Sequence, residues 1–436
     1  MDRDEAQLAA LFAPSSYGGG GARALLRSLF DDVLAIAAPA NFMTDRLPAP
    51  PRGRTFVVAA GKAAAAMARA VEDVWPLDAP LEGIAVTRDG HGVPCERIEV
   101  IEAAHPVPDA RSREAGARML AQAERLGPDD LLLCLVSGGG SALMVAPAAG
   151  LDMAEKQRIN RALLASGAPI GEMNVVRRHL SAIKGGRLAA AAHPARTVTL
   201  AVSDVPGDDP ATIASGPTVG DPSTVADAIG ILERYAIPAE REWLTESIAP
   251  DDPRLAGATF EMLATPSSVL AAFVRGLDRS AFDVVDLGAE IEGEAREVAA
   301  NHATLVREIA ATASRPTLVV SGGETTVTVA DHATPGAGGR NTEYALALAL
   351  ALEDGPPVHA IACDTDGIDG SEADAGALVA PDTLARARAG GLDPRDHLGR
   401  HDSHTLFAAL GDLVTTGPTR TNVNDFRAIL VEPDRW

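Results

Sequence analysis

Short apolar runs alternate with alanine-rich helical stretches along this chain, and that alternation limits its fold more than any other feature. TFVVAA (55–60) leads into Gly61 and Lys62 and then into AAAAMARAVEDVW (63–75), which reads as strand, turn and helix. Further strand-like runs follow at GIAVT (83–87), RIEVIEA (97–103), DLLLCLVS (130–137), RTVTLAVS (196–203), FDVVDLG (282–288), PTLVVS (316–321), TTVTVA (325–330) and VHAIAC (358–363). Few of them alternate apolar with polar residues. Unalternated runs belong to strands covered on both faces, and the interleaved helices supply the cover, so the sequence predicts an α/β fold with mostly parallel sheets. Helical spacing over 22–38 predicts an opening helix, led in by the Gly18 to Gly21 run.

The length of 436 residues exceeds one module, since domains run to about 150 residues each. Pro, Asp and Gly cluster in IAPDDPRLAGA (248–258), and the boundary is expected there. This gives an N-terminal domain over 1–250, a C-terminal domain over 255–415, and a tail over 416–436 expected to pack back on the N-terminal domain. Both domains are expected to be α/β. The segments LLLCLVSGGGSALM and PTLVVSGGETTVTV each end an apolar run in Ser-Gly-Gly. This reads as two similar strand ends rather than a repeat.

Lys and Arg number 38 against 60 Asp and Glu, a net charge of −22, which speaks against nucleic acid because phosphate neutralisation needs clustered cations. Aromatic residues are 3% of the chain, too few for a base-stacking platform. No apolar stretch is long enough for a membrane span and MDRDEAQLAALF lacks a signal-peptide core, so no membrane partner is expected. Cys95, Cys134 and Cys363 form no CxxC pair, and a reducing cytoplasm is the expected location. Only Lys62, Lys156 and Lys184 are lysines, against 35 arginines. A lysine kept against that bias marks a place where a compact ammonium works better than a guanidinium. Lys156, in EKQR, reads instead as a solvated surface residue.

In open α/β sheets ligands collect at the carboxyl ends of strands. VSGGGSALM sets Ser137, Gly138, Gly139, Gly140 and Ser141 at such an end, a backbone free to wrap an anion, with a tight structural turn as the competing reading. Lys62 occupies another strand-to-helix turn. It is not in a Walker A loop, because Phe56 stands at the first glycine and Ala63 at the hydroxyl position. No GxGxxG follows a predicted strand, which argues against a nicotinamide dinucleotide. NVVRRHLSAIKGGRLAAA (174–191) reads as a helix that ends or kinks at Gly185-Gly186 and carries Arg177, Arg178, Lys184 and Arg187, with a solvated basic face as the plainer reading.

Two acidic strand tips follow. VSDVPGDDPATIASGPT (202–218) presents Asp204, Asp208 and Asp209, and ACDTDGIDGSEADAGA (362–377) presents Asp364, Asp366 and Asp369 with Glu372 and Asp374 beyond. Such carboxylates suit Mg²⁺, which takes a few of them together with water and substrate phosphates. They are also ordinary turn formers, and the EF-hand spacing is not met. GAGGRNTEYALALAL (336–350) delivers Arg340, Asn341 and Glu343 to a helix start. An arginine there suits neutralising a transferring phosphoryl group, and a surface pair with Glu343 is the competing reading.

With these motifs the chain resembles the glycerate 2-kinases of the MOFRL type, a group also named as hydroxypyruvate reductases. The likeness runs through GKAA (61–64), HPVPD (105–109), SGGGSAL (137–143), the 174–191 segment, SDVPGDDPATIASGPT, SGGETTVTV with Glu324, GAGGRNTEYALA, DTDGIDGSEADAGA and GPTRTNVND. It implies a Rossmann-like N-terminal domain, a C-terminal MOFRL domain and an active site in the cleft between them. It further implies ATP and Mg²⁺ or another divalent cation as cofactors and conversion of D-glycerate to 2-phosphoglycerate. HDSHTLF (401–407) departs from it, because an aromatic residue is expected at His404.

Lys62, Arg340 and Asp204 are the residues expected in catalysis. Ser137, Gly138, Gly139, Gly140, Ser141, Lys184, Glu324 and Asn341 are expected at the nucleotide, and Asp208, Asp364 and Asp366 at the metal. An NAD(P)-dependent hydroxypyruvate reductase and a non-catalytic metabolite-binding regulator are the rival readings, and homodimerisation is left open.

Overall fold

The computed structural model describes residues 21–329 and 336–432, apart from the Pro206 side chain. The readings of MDRDEAQLAALF and of Gly18 to Gly20 lie outside the described residues, as does the end of TTVTVA at Ala330. Within them the chain divides into two units, one of residues 42–265 and one of residues 21–41 with 266–432.

In the first unit, β1 (Thr55–Ala60), β2 (Leu81–Arg88), β3 (Ile98–Ala103), β4 (Leu131–Val136), β5 (Arg196–Val202) and β6 (Ala258–Ala264) form one sheet in the order β3-β2-β1-β4-β5-β6. All its pairings are parallel, with Thr55 opposite Leu81 on one side and Leu131 on the other. β1 and β4 are buried along their whole length, as unalternated runs require. The chain proceeds outward from β1 through β2 and β3, then returns to β4 on the other side of β1. This reversal is the place where open α/β sheets gather ligands, and the Gly61-Lys62 turn and the Ser137–Ser141 loop both lie there.

The second unit departs from the parallel expectation. β7 (Asp283–Asp286), β9 (Thr317–Ser321), β11 (Val358–Asp364), β12 (Gly376–Val379), β13 (Leu413–Val414) and β14 (Asp425–Val431) run in the order β13-β12-β11-β14-β9-β7. Only β7 with β9 is parallel, and the other pairings are antiparallel. β9 and β14 are nonetheless buried throughout, because helices such as Ala295–Thr312 and Arg340–Ala351 share a core with this sheet. Burial on both faces thus erases the alternation that would have marked them. β8 (Ile291–Glu294) and β10 (Gly323–Thr326) pair separately and in parallel. The expected strand 325–330 is therefore shorter and begins earlier. The two Ser-Gly-Gly ends differ as well, since the first enters a helical turn at Gly140 and the second enters β10.

Boundary and tail both need correction. Residues 258–264 are β6, paired with β5, so the first unit extends past the Pro- and Asp-rich segment. The tail does not return to that unit, because β14 pairs with β11 and β9. The opening helix, Gly21–Ile36, also belongs to the second unit. Phe30 stacks on Phe426 at 6.1 Å and Phe273 meets Phe426 edge-on at 5.2 Å. Among the described residues no helix is long and apolar enough to cross a membrane.

Candidate active site

In the first unit the turns after β1 and β4 are locked together. Lys62 N–H donates to Gly138 O at 2.8 Å, and Ala63 N–H donates to Ser137 Oγ at 3.1 Å. Gly61 permits this approach, since it sits at φ +135° and a Cβ there would lie 2.2 Å from Ser137 Oγ. Ser137 is thereby committed to holding the turn, and Lys62 is half-buried at its edge. Gly139, at φ +79°, would place a Cβ 2.9 Å from His105 Nε2 and 3.5 Å from Lys62 Cγ. Among the described residues nothing accepts from the N–H groups of Gly138 and Gly139. Gly138 is buried, and a buried N–H without an acceptor is rare enough to point to a bound group. The helix that follows is a single turn, Gly140–Leu143, so the anion preference rests on these donors more than on the expected helix dipole.

The basic segment is a buried strut. Its helix runs Ile170–His179 and ends before Gly185 and Gly186, and a second helix starts at Arg187. Lys184 is 3% exposed and donates from Nζ to Ser141 O at 2.5 Å, so it reaches the loop's backbone rather than a ligand. Ser141 and Ser215 meet through their hydroxyls at 2.7 Å. Arg187 donates to Arg178 O, Lys184 O, Thr245 O and Glu246 O, and Arg178 pairs with Asp221 at 2.8 Å. Lys156 is no surface residue, being 4% exposed and donating to Leu180 O at 2.8 Å. Burial, with Arg177 and Arg187 nearby, lowers its pKa to about 7. Burial together with Lys156 and Arg177 holds Lys184 well below the ordinary lysine range.

Asp204 follows β5 and is half-buried. Asp208 sits at φ +51°, and its buried Oδ1 has no partner among the described residues. Asp209 caps the local turn through Ala211 N–H and the Thr212 hydroxyl.

The second unit assembles its site around the first residue of the helix Arg340–Ala351. Arg340 donates from Nη1 to Glu324 Oε1 at 2.7 Å, from Nη2 to Asp364 Oδ2 at 2.7 Å, and from Nε to both oxygens of Asp425 at 2.9 and 3.1 Å. Burial disfavours its charge, but Asp425, Asp364 and Glu324 outweigh that and hold its pKa above the ordinary value. The pair with Glu343, the competing reading for this arginine, does not form. Glu343 takes Arg296 at 2.6 Å and His401 at 3.0 Å instead. Asn341 is fully buried, its amide donating to Asp425 Oδ1 at 2.8 Å, so it supports this network rather than facing a nucleotide.

Asp366 donates its N–H to Asp364 Oδ1 and accepts from Ile368 N–H. Asp369 receives the N–H groups of Asn341 and Thr342 at the helix start, each at 2.8 Å, and burial pushes its pKa up. His404 pairs with Asp374 at 2.9 Å. A cavity of about 760 Å³ opens beside Arg340 and Glu324. Asp425 and Arg427, which complete the network, are the residues sequence reasoning missed. Their one signal is the polar TNVND run that leads into the otherwise apolar β14, DFRAILV.

Asp208 belongs to the first unit, Asp364 and Asp366 to the second. Among the described residues no three His, Cys, Asp or Glu side chains gather as a metal cage.

An open α/β sheet with glycine turns at its reversal, joined to a second unit that presents a carboxylate-bound arginine, defines a ligand-binding α/β protein of two units. The comparisons are more specific. A domain of unknown function matches residues 25–246 and the MOFRL family matches residues 317–425. A protein of Agrobacterium vitis with a provisional hydroxypyruvate reductase name is 52% identical over 94% of each chain. The glycerate 2-kinase of Pyrococcus horikoshii is 37% identical, covering 88% of this chain and 89% of its own. The crystal structure of a glycerate kinase from Thermotoga maritima superposes with a TM-score of 0.82 at 34% identity, over 94% of this chain and 99% of that one. The chain belongs to the MOFRL-type glycerate kinase family.

Proposed function

We propose that this protein transfers the terminal phosphoryl group of ATP to the 2-hydroxyl of D-glycerate, giving 2-phosphoglycerate and ADP. The observation that carries the reading is the likeness, along nearly the whole of both chains, to a protein named glycerate 2-kinase. The geometry agrees with it: the unclaimed N–H groups of Gly138 and Gly139 suit phosphate oxygens, and the half-buried Lys62 side chain passes close to Gly139.

Lys62 binds a phosphate or the glycerate carboxylate. Arg340 neutralises charge on the phosphoryl group in flight, an interaction that strengthens as that charge spreads over the transferring oxygens. Asp204 accepts the proton of the 2-hydroxyl. Asp208, with its buried, unpartnered Oδ1, would help hold a Mg²⁺ bound with the nucleotide, which would supply further neutralisation. Asp364 is less suited, because Arg340 and the Asp366 N–H already take both its oxygens.

The purified protein is incubated with ATP, Mg²⁺ and D-glycerate, and the product is identified by ³¹P NMR. The proposal expects 2-phosphoglycerate. Formation of 3-phosphoglycerate would move the attack to the other hydroxyl. NADH consumption with hydroxypyruvate, in the absence of ATP turnover, would favour the reductase name carried by the Agrobacterium relative.

A further inference from the structure

Arg340 can serve a transferring phosphoryl group only if its guanidinium is already in place, because disorder there would have to be removed at the moment of reaction. Of its three carboxylate partners, Glu324 has a 44% exposed side chain and is a loose tether, whereas the Asp425 side chain is fully buried. Asp425 also gathers more donors than either of the others. Besides Arg340 Nε it accepts from Asn341 Nδ2 at 2.8 Å and from Arg427 Nη2 at 2.6 Å.

Arg427 is itself immobile. It is 1% exposed, donates to Gly322 O and Thr325 Oγ1 at 3.1 Å each, and lies 5.2 Å over the ring of Tyr344. Tyr344 in turn meets His302 Nδ1 through its hydroxyl at 2.7 Å. The result is a buried chain of alternating charge, Arg427 to Asp425 to Arg340, with its fixed end in the sheet and its other end at the helix start beside the cavity. Gly322 and Thr325 flank Glu324, so the same arginine also braces the turn that carries it.

We propose that Asp425 is the positioning residue of the phosphotransfer reaction, acting through Arg340 and held by Arg427. A carboxylate is needed there because it neutralises two buried guanidinium groups at once and accepts in two directions. An amide at the same place would leave the two arginines facing each other with only one acceptor between them. The inference rests on the phosphotransfer reading above and on the part Arg340 takes in it.

A double-mutant cycle tests it, with kcat and KM for ATP and D-glycerate measured on the wild type, Asp425→Asn, Arg340→Ala and the double variant. Asp425→Asn is expected to lower kcat by roughly tenfold or more while each KM stays within about twofold. The double variant is expected to match Arg340→Ala within about twofold, because a residue acting through Arg340 has nothing left to position once that side chain is gone. A role in folding alone would lower the melting temperature and leave the kcat of the folded enzyme unchanged, and that result overturns the proposal. So do losses that multiply in the double variant. If Arg340→Ala turns over like the wild type, Arg340 has no part in the chemistry and the inference falls with it, a pattern distinct from either of the others. Should Asp425→Asn fail to fold, Asp425→Glu keeps the charge and runs the same cycle with the same readings.

Discussion

Two buried lysines of the first unit and the arginines around the second unit's site carry their positive charge in opposite ways. In the first, Lys156 and Lys184 are buried against backbone carbonyls, and no carboxylate pairs with them among the described residues. In the second, Arg340 is surrounded by three carboxylates, and Arg427 pairs with one of them, Asp425. Burial without a counter-charge penalises the ionised form, and burial with one favours it, so the pKa of the lysines falls while that of Arg340 rises. A buried cation is thus a cost at Lys156 and Lys184 and a fixed tool at Arg340. Charge and residue type, which a sequence displays, do not separate the two cases. The oxygens that face the cation do.

The largest effect is expected at Arg340. Arg340→Ala should lower kcat by roughly 10³-fold, the low end of what an arginine contributes to phosphoryl transfer, and it should also lower the melting temperature because three carboxylates lose their shared partner. A normal turnover would dissolve the contrast between the units.

Lys156 should behave in the reverse sense. Its folded pKa of about 7 lies below the ordinary lysine value, so between those two pH values the unfolded chain binds more protons, and stability from this group increases with pH. Below pH 7 both states are protonated and the cost is constant. Lys156→Met should therefore stabilise the protein at pH 7, by an amount on the order of a few kcal/mol, and much less at pH 10. Melting curves at both pH values decide it, and a variant destabilised equally at each would show that the ammonium is held by something not yet accounted for.

Gly139→Val comes next. Its Cβ would meet His105 Nε2 at 2.9 Å and sit at φ +79°, so the loop must shift and the apparent KM for ATP or D-glycerate should rise by about tenfold, equivalent to about 1.4 kcal/mol of lost binding. Saturation at unchanged concentrations in a folded variant would make the loop purely structural. The smallest effects belong to exposed pairs. Arg118→Ala, which breaks a pair with Glu99 whose side chains are 40% and 49% exposed, should leave the midpoint of a denaturant titration nearly unchanged.

The positions of most strands were legible because unbroken apolar runs bounded by Gly and Pro leave little choice. β1 falls at 55–60 as expected. Direction was not legible in the second unit, since β9 and β14 are as thoroughly buried as parallel strands are. β6, ATFEMLA, was hidden by an acidic residue within it and by the turn-rich segment before it.

At the site, the glycine loop, Lys62 and Arg340 could be read from their places at strand and helix ends. Lys156 could not, because the EKQR pattern around it describes a helix surface and its burial comes from the packing of a neighbouring helix and turn. Asp425 escaped for a related reason. Its partners Arg340 and Asn341 stand 85 and 84 positions earlier in sequence, and nothing local distinguishes an aspartate that opens a strand from one that ends a loop.

The helix Gly21–Ile36 and the strand β14 lie in one unit, with the whole first unit encoded between them. Synthesis delivers that helix early, yet Phe426, against which Phe30 packs, emerges only after residues 42–265 have had time to form their own sheet. The other native neighbours of Gly21–Ile36, the helix Pro266–Gly276 and β11, also follow residues 42–265, so it keeps an uncovered apolar face through the synthesis of the first unit. The second unit therefore cannot complete its core while the chain is still growing, because β14 is an interior strand of its sheet. Its assembly closes a very long loop late in synthesis. A first unit folded in the meantime shortens the search by holding the two ends of its own segment at fixed points.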